Sequence, residues 1–293
     1  MKIAIVGAGA IGSLFAGYLA RLKVKVGIIA RKWHGDAIVS NGLEVNRIFA
    51  GRSFNVKKIR VLTGFEELWD YDLILISVKT FDLFDVLKKL KDAKIIEHDR
   101  HCIGLLQNGL GNENVVRAIF PQIPIIRFIT SNGAFLQGPS KVIHTGLGNT
   151  YVGSWDKANE ERLKPLMELF KAKFEEASNP VHITSEIKAK TWEKAIINCG
   201  INPVGAIFKV PNGIILKIPE LKQISEKIIQ EALQVAEKGN FLKNFDGLNA
   251  TFEVMKNTAK NKNSMLQDLE HNRITLDWID RCLVRKQRIL VVN

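Results

Sequence analysis

The chain is short of the residues that cross-link a fold. Cysteine occurs three times in 293 residues, as Cys102, Cys199 and Cys282, with no C-x-x-C pair. An odd count at that spacing fits neither a disulfide framework nor a structural zinc site, and points to a reduced, cytoplasmic protein. A long block of one charge is also missing. Lys57-Lys58, Lys88-Lys89 and Arg285-Lys286-Gln287-Arg288 are short clusters of the kind found on solvated faces. Beyond residue 20 no stretch approaches the length and apolarity of a membrane span. Internal repeats and low-complexity segments are lacking too.

What is present is ordinary globular composition, 46% hydrophobic and 25% charged, which excludes a collagen-like or mostly disordered chain. At roughly 150 residues per domain, the length predicts two domains or one large one. Lysine and arginine total 42 against 30 acidic residues, a formal net charge of +12. That excess suits a nucleic-acid binder, a membrane-surface protein or a site for a phosphorylated small molecule, and does not choose among them.

Ile3 to Ala20 carry no charge and lie between Lys2 and Arg21, as in a signal peptide or a marginal membrane helix. Glycine placement argues otherwise. Gly7, Gly9, Gly12 and Gly17 would each weaken a single helix by roughly 1 kcal/mol. They fit a buried strand Lys2 to Val6, a tight turn Gly7 to Gly9, a helix Ile11 to Leu22 and a second strand Lys25 to Ala30, a βαβ unit.

In that context Gly7-Ala8-Gly9-Ala10-Ile11-Gly12 is the G-x-G-x-x-G turn of a dinucleotide site. The first glycine permits the turn and the second lets backbone approach a pyrophosphate. The third lets helix and strand pack closely, while the helix N-terminus offers N–H groups to the anion. The end of strand two then discriminates between cofactors. A carboxylate there would bind the ribose 2′-hydroxyl of NAD; here the chain reads Ile28-Ile29-Ala30-Arg31-Lys32, with no carboxylate before Asp36. A guanidinium at Arg31 can pair with a 2′-phosphate, which favours NADP(H).

Downstream, Gly42 to Val45 and Ser53 to Val56 read as an inserted hairpin, and Tyr71 to Ser77 as a buried parallel strand. Lys79 lies just past that strand's carboxyl end, where ligands of open α/β sheets bind, and is placed to touch a cofactor phosphate. Strands follow at His101 to Leu106, Ile125 to Ile129, Lys141 to His144, Thr150 to Gly153 and Val181 to Ile183, with a helix at Glu160 to Lys173. After Thr184 the pattern turns helical, at Glu186 to Asn198, Glu220 to Lys238, Leu248 to Lys260, Ser264 to Asn272 and Asp277 to Lys286. The expected fold is α/β, with an N-terminal Rossmann-type domain over residues 1–184 and an all-α domain over 185–293.

Most chemistry sits in Trp192 to Pro203. Lys194 and Asn198 share a helix face, and Asn202 continues the row, although Pro203 predicts that the helix ends there. A lysine and two amides beside Ala195, Ile196, Ile197, Cys199 and Ile201 are costly unless something satisfies them. An ammonium at Lys194 suits polarising a keto oxygen and protonating it as hydride arrives.

Several blocks together resemble the ketopantoate reductase (2-dehydropantoate 2-reductase) family. They are Gly7–Gly12 with Arg31, Ser77-Val78-Lys79, Gln107-Asn108-Gly109-Leu110-Gly111, Ser131-Asn132-Gly133-Ala134, Trp192 to Pro203, Val210-Pro211-Asn212-Gly213 and Asn263-Ser264-Met265-Leu266-Gln267-Asp268. The resemblance implies NADPH-dependent reduction of ketopantoate to pantoate, on the route to pantothenate and coenzyme A. It implies Lys194 as proton donor and Asn198, Asn202, Asn212 and Ser264 as the substrate set, together with Lys194. It sets Asn108 and the Ala134 backbone at the nicotinamide half, and Arg31 and Lys79 at the 2′-phosphate. The expected partners are a small 2-keto acid and a second copy of the chain in a homodimer, with neither nucleic acid nor membrane.

One stretch departs from the family. Where the family usually continues Arg-x-Thr-Glu-Ile-Asp-Tyr-Ile-Asn-Gly, this chain has Arg273-Ile274-Thr275-Leu276-Asp277-Trp278-Ile279-Asp280-Arg281, without the glutamate. Two alternatives therefore stand beside the reductase: a non-catalytic NADP-binding homologue, and a reductase of another branched 2-keto acid.

Overall fold

A computed structural model of the chain describes residues 1–270. The expected helix Asp277 to Lys286, the departing stretch with Asp277, and Cys282 lie outside the described residues. Strand β1 (Lys2–Val6), helix α1 (Ala10–Arg21) and strand β2 (Lys25–Ile29) form the βαβ unit that the glycine spacing predicts. Next come α2 (Lys32–Asn41), β3 (Leu43–Arg47), β4 (Arg52–Val56), β5 (Ile59–Val61), β6 (Leu73–Ile76) and α3 (Leu83–Asp92). They are followed by β7 (Cys102–Leu105), α4 (Asn112–Ile119), β8 (Ile125–Thr130), β9 (Gly133–Gly138), β10 (Lys141–Gly146), β11 (Thr150–Ser154), α5 (Glu160–Glu176) and β12 (Val181–Ile183).

The main sheet runs β12-β11-β8-β7-β6-β1-β2-β5. From β5 to β8 every neighbour is parallel, and β11 joins antiparallel to β8. The strand order reverses between β2 and β6 around β1, the switch point at which such sheets open a ligand crevice. Both faces are covered, which is why the strands read as unbroken apolar runs. Ile3 and Ile5 of β1 pack with Phe15, Phe170 and Phe174, whereas Ala4 and Val6 pack with Leu83, Leu87 and Val116.

The hairpin β3–β4 is more than an insertion. Strand β3 also pairs in parallel with β10, and β10 pairs antiparallel with β9, giving a second sheet of order β4-β3-β10-β9. Helix α1 packs on this sheet as well: a Cβ at Gly17 would lie 2.5 Å from Val45 Cγ2, and the Tyr18 and Phe54 rings are 5.5 Å apart. Every residue from Gly12 to Ala20 is buried. That burial is the physical reason for the uncharged run near the N-terminus. Among the described residues no helix is long and apolar enough to cross a membrane.

By its contacts the chain forms two units, one of Met1–Gln107 with Asn112–Ile187, the other of Asn108–Gly111 with the described residues from Lys188. The described residues from 188 contain helices and no strand: α6 (Ile187–Ile207), α7 (Asn212–Lys217), α8 (Pro219–Lys238), α9 (Gly247–Asn257) and α10 (Ser264–Glu270). One core joins Trp192, Ile196 and Cys199 of α6 to Ile229, Ala232 and Ala236 of α8, and another joins Ile201 and Val204 to Ile215, Leu221 and Met255.

Pro203 does not end α6, contrary to the bias read from sequence; the helix continues to Ile207 with the proline inside and Asn202 in helical geometry. A proline in a helix interior costs about 3 kcal/mol through a lost N–H bond and a carbonyl clash. Burial of Ile201 and Val204, at roughly 1.5–3 kcal/mol each, outweighs it. Carbonyls in the same turn gain side-chain donors. Ser225 Oγ donates to the Gly200 oxygen at 2.7 Å, and Asn263 Nδ2 approaches the Ile201 oxygen at 3.5 Å. Asn263 also caps α10, its Oδ1 accepting from Leu266 N at 3.0 Å. Asn263→Ala is therefore expected to lower the unfolding free energy by about 1–2 kcal/mol, whereas Ser264→Ala, at an exposed position, shifts it by less than about 0.5 kcal/mol. Urea denaturation of the two variants checks the contrast.

Candidate active site

The glycine turn sits where β1 meets β2 and β6. Gly7 has a φ of +105°, and a Cβ on it would lie 2.7 Å from Val78. A Cβ on Gly12 would lie 2.1 Å from the Gly7 carbonyl oxygen and 3.0 Å from Ser77 Oγ. Packing within the chain thus accounts for these two glycines. Gly9 differs: among the described residues a Cβ there meets nothing within 4 Å. The open space beside this backbone is what close approach of a pyrophosphate needs. Gly9 also forms the N-cap of α1 with no side-chain cap, and α1 carries no acidic residue in its first turn. The positive end of the helix is left for an external anion. Ala8, Ala10 and Ile11, the remaining residues of the turn, are half-buried around it.

Arg31 follows β2 as the N-cap of α2 and is exposed, with its carbonyl accepting from His34 N and Gly35 N at 2.9 Å each. Asp36, the first carboxylate past β2, pairs with Lys32 at 2.9 Å. Lys79 is exposed just past β6 and caps the short turn Thr80–Asp82. Because β2, β1 and β6 are adjacent, Arg31 and Lys79 stand on either side of the glycine turn at the carboxyl edge of the sheet. Exposed cations, an uncapped helix end and bare backbone form a donor set that fits the phosphates of a dinucleotide.

Further along the same edge, Gln107 is buried and Asn108 exposed. Behind them Arg127 of β8 is buried, donating from Nη2 to the Gln107 oxygen at 2.6 Å and from Nη1 to the Leu105 oxygen at 3.4 Å. Its Nε lies 3.0 Å from Glu113 Oε1, and both side chains are 1% exposed. Burial pulls the Arg127 pKa down while the Glu113 carboxylate opposes that shift. The pair grips the chain on both sides of Asn108–Gly111, where Gly109 and Gly111 take positive φ. Sequence reading had no signal for this pair, since neither residue belongs to a motif.

Ala134 lies half-buried on β9, in register with His144 of β10. The segment before it is anchored by a buried network that sequence reading also missed. Tyr18 Oη lies 2.8 Å from His144 Nδ1, and His144 Nε2 lies 3.0 Å from Asn132 Oδ1. Asn132 Nδ2 donates to Thr130 Oγ1 at 2.9 Å and to Thr150 Oγ1 at 3.3 Å, and Asn132 Oδ1 accepts from Gly148 N at 3.0 Å. Burial keeps His144 neutral, with its pKa pushed down to about 4.

In the helical unit, Lys194 and Asn198 are half-buried and Asn202 is buried, all on α6. Continuation of the helix through Pro203 fixes their spacing: each step of four residues rises about 6 Å and turns about 40°. Glu193, beside Lys194, is held by Lys190 at 2.7 and 3.0 Å. Asn212 is buried at the start of α7, with Nδ2 donating to Thr258 Oγ1 at 2.8 Å and Oδ1 lacking a hydrogen-bond partner among the described residues. Ser264 is exposed at the first position of α10. Asn212 N bonds the Asn261 oxygen and Gly213 N the Ala259 oxygen, both at 3.0 Å, while Asn263 reaches Ile201. The segments carrying Asn202, Asn212 and Ser264 are therefore tied together, with Lys194 two turns further up α6.

Comparison with known proteins agrees with this architecture. The family model described as "Ketopantoate reductase PanE/ApbA" matches residues 3–157, and that described as "Ketopantoate reductase PanE/ApbA C terminal" matches residues 186–279. The chain belongs to the ketopantoate reductase family. It is 32% identical to 2-dehydropantoate 2-reductase of Pyrococcus horikoshii, over 99% of this chain and 92% of the relative. A crystal structure of 2-dehydropantoate 2-reductase from Geobacter metallireducens superposes with a TM-score of 0.87 at 26% identity, covering 99% of this chain and 94% of that one. A ternary structure of D-mandelate dehydrogenase with NADH and anilino(oxo)acetate gives 0.83 at 26% identity, covering 98% and 92%.

The neutral His144 carries a pH consequence. Below about pH 6.5 the unfolded chain takes up a proton that native His144 refuses until about pH 4. Stability contributed by this group is therefore present near neutrality and lost as pH falls through that window, by up to about 3 kcal/mol. Urea unfolding at pH 7 and pH 4.5 is expected to show the fall, and His144→Gln to flatten it.

Proposed function

We propose that the chain is an NADPH-dependent 2-dehydropantoate 2-reductase, producing pantoate on the route to pantothenate and coenzyme A. The full-length relatives that carry this name support the reaction. The observation that carries the cofactor choice is the carboxyl edge around β1: the open backbone at Gly9 lies between exposed Arg31 and Lys79, and Asp36 is paired with Lys32. Among the described residues a 2′-phosphate there would meet the exposed guanidinium of Arg31, with Asp36 engaged by Lys32, and charge-assisted bonds of this kind are about twice as strong as neutral ones.

Asn108 and the Ala134 backbone would hold the nicotinamide half. When bound, NADPH supplies the hydride for the C2 keto carbon. Lys194 polarises the keto oxygen and passes its proton to the developing alkoxide. Asn198, Asn202, Asn212 and Ser264 orient the carboxylate and hydroxyl of the acid, the source of the proximity gain. Asn212 supports that assignment with its buried Oδ1, which has no hydrogen-bond partner among the described residues.

The likeness to D-mandelate dehydrogenase with NADH favours a second reading, reduction of another branched 2-keto acid. Side-by-side kinetics on short 2-keto acids with each cofactor separates the two. Preference for ketopantoate and NADPH is expected, and preference for another acid would overturn the substrate assignment. Lys194→Ala is expected to reduce kcat about 10²–10⁴-fold while NADPH affinity is retained. Unchanged turnover would sink the proton-donor role. Arg31→Ala should raise the NADPH KM about 10-fold or more and leave the NADH KM little changed. Equal effects on the two cofactors would remove Arg31 from the 2′-phosphate.

A further inference from the structure

Ser13 of α1, His34 of α2 and Ser140 of the β9–β10 turn belong to three separate elements, and all are at most 3% exposed. They form one directed chain of hydrogen bonds. Ser140 N–H donates to His34 Nδ1 at 3.1 Å, so Nδ1 is the unprotonated ring nitrogen. The ring proton is then on Nε2, which donates to Ser13 Oγ at 3.0 Å. Ser13 in turn donates its hydroxyl proton to the Ala8 carbonyl at 3.3 Å. Burial lowers the His34 pKa and keeps the ring neutral, as this arrangement requires.

The chain reaches the cofactor edge at its Ala8 end and again at its middle, through His34. Ala8 is the second residue of the glycine turn, and the peptide linking it to Gly9 is planar. Holding the Ala8 carbonyl therefore fixes the Gly9 N–H in the opposite direction. At its middle, His34 lies in the first turn of α2, and its main-chain N–H bonds the Arg31 carbonyl at 2.9 Å. His34 thus joins the glycine turn, through its ring and Ser13, to the helix start that carries the guanidinium, through its backbone. Ser140, with a φ of +54°, holds its N–H toward the ring from the second sheet.

We propose that His34 is a positioning residue that locks the glycine turn and Arg31 into one preorganised site for a 2′-phosphorylated dinucleotide. It touches no ligand and acts through Ser13 and through the first turn of α2. This inference rests on the cofactor reading above. Its signature is a split: cofactor affinity falls while turnover at saturating cofactor stays.

The test uses the full chain, with NADPH and NADH affinity read from nicotinamide fluorescence, kcat and KM from NADPH oxidation with ketopantoate, and Tm from ligand-free unfolding. His34→Ala is expected to raise the NADPH Kd and KM about tenfold, the worth of one to two neutral hydrogen bonds, with kcat within about twofold. NADPH should lose more than NADH. His34→Gln places an amide N–H where Nε2–H was, and should recover most of the affinity. Ser13→Ala, which removes a single oxygen, should reproduce the split in weaker form and serves if His34→Ala does not fold. Unchanged NADPH affinity in both His34→Ala and Ser13→Ala, or a loss confined to Tm or kcat, would overturn the positioning role alone. Failure of the unaltered protein to bind NADPH would overturn the cofactor reading and this inference with it.

Discussion

Helix α1 has no side left for solvent. It packs on the main sheet through Leu14, Phe15 and Leu19, and on the second sheet through Gly17 and Tyr18. That constraint propagates, because α1 buries two hydroxyls, those of Ser13 and Tyr18. A buried hydroxyl without a partner costs about 1–3 kcal/mol. Each meets a histidine that burial keeps neutral, Ser13 meeting His34 and Tyr18 meeting His144. From those rings the bonds run outward, to Ser140 on one side and Asn132 on the other. The packing of one helix thereby sets both the glycine turn and the segment leading to Ala134.

The helical unit reaches a comparable result by other means. Its central helix carries an internal proline and still keeps Lys194, Asn198 and Asn202 in one helical row. Apolar burial of Ile201 and Val204 holds the turn against the lost bond, and Ser225 and Asn263 place donors on its carbonyls. Gly205 is part of that arrangement: a Cβ there would lie 2.2 Å from Asn263 Nδ2. Had α6 ended at Asn202, that amide would have been free to leave the face shared by Lys194 and Asn198.

Legibility in the sequence followed the range of the interaction responsible. The first strand, the glycine turn and α1 were readable because turn chemistry and apolar runs are local. So was β12, Val181–Ile183, bounded as expected. The second sheet was not readable as a sheet, because β3 pairs with β10 almost a hundred residues away, and β9 has a glycine at each end. Helix α2 was hidden by an N-cap, Arg31, that makes no side-chain capping bond. Pro203 misled because a local rule met a stronger tertiary term. The family blocks pointed to the residues of the proposed site, but not to the residues behind them. His34 and His144 are lone histidines in sequence, bonded to groups 106 and 126 positions away.

The division between facing and supporting residues governs how substitutions at this site are read. Arg31, Lys79 and Ser264 are exposed, and changes at such positions ordinarily alter stability by less than about 0.5 kcal/mol. His34, Arg127, His144 and Asn263 are buried and polar, and removing one partner of a buried pair exposes the other to its full desolvation cost. A loss of function at a facing position with stability intact reports on ligand binding. The same loss at a supporting position is ambiguous until affinity, turnover and stability are separated. The positive charge divides along the same line. Arg127 is paired inside the fold with Glu113, whereas Arg31 and Lys79 are exposed past the carboxyl ends of β2 and β6. Part of the +12 excess thus lies where the proposed anionic cofactor would bind.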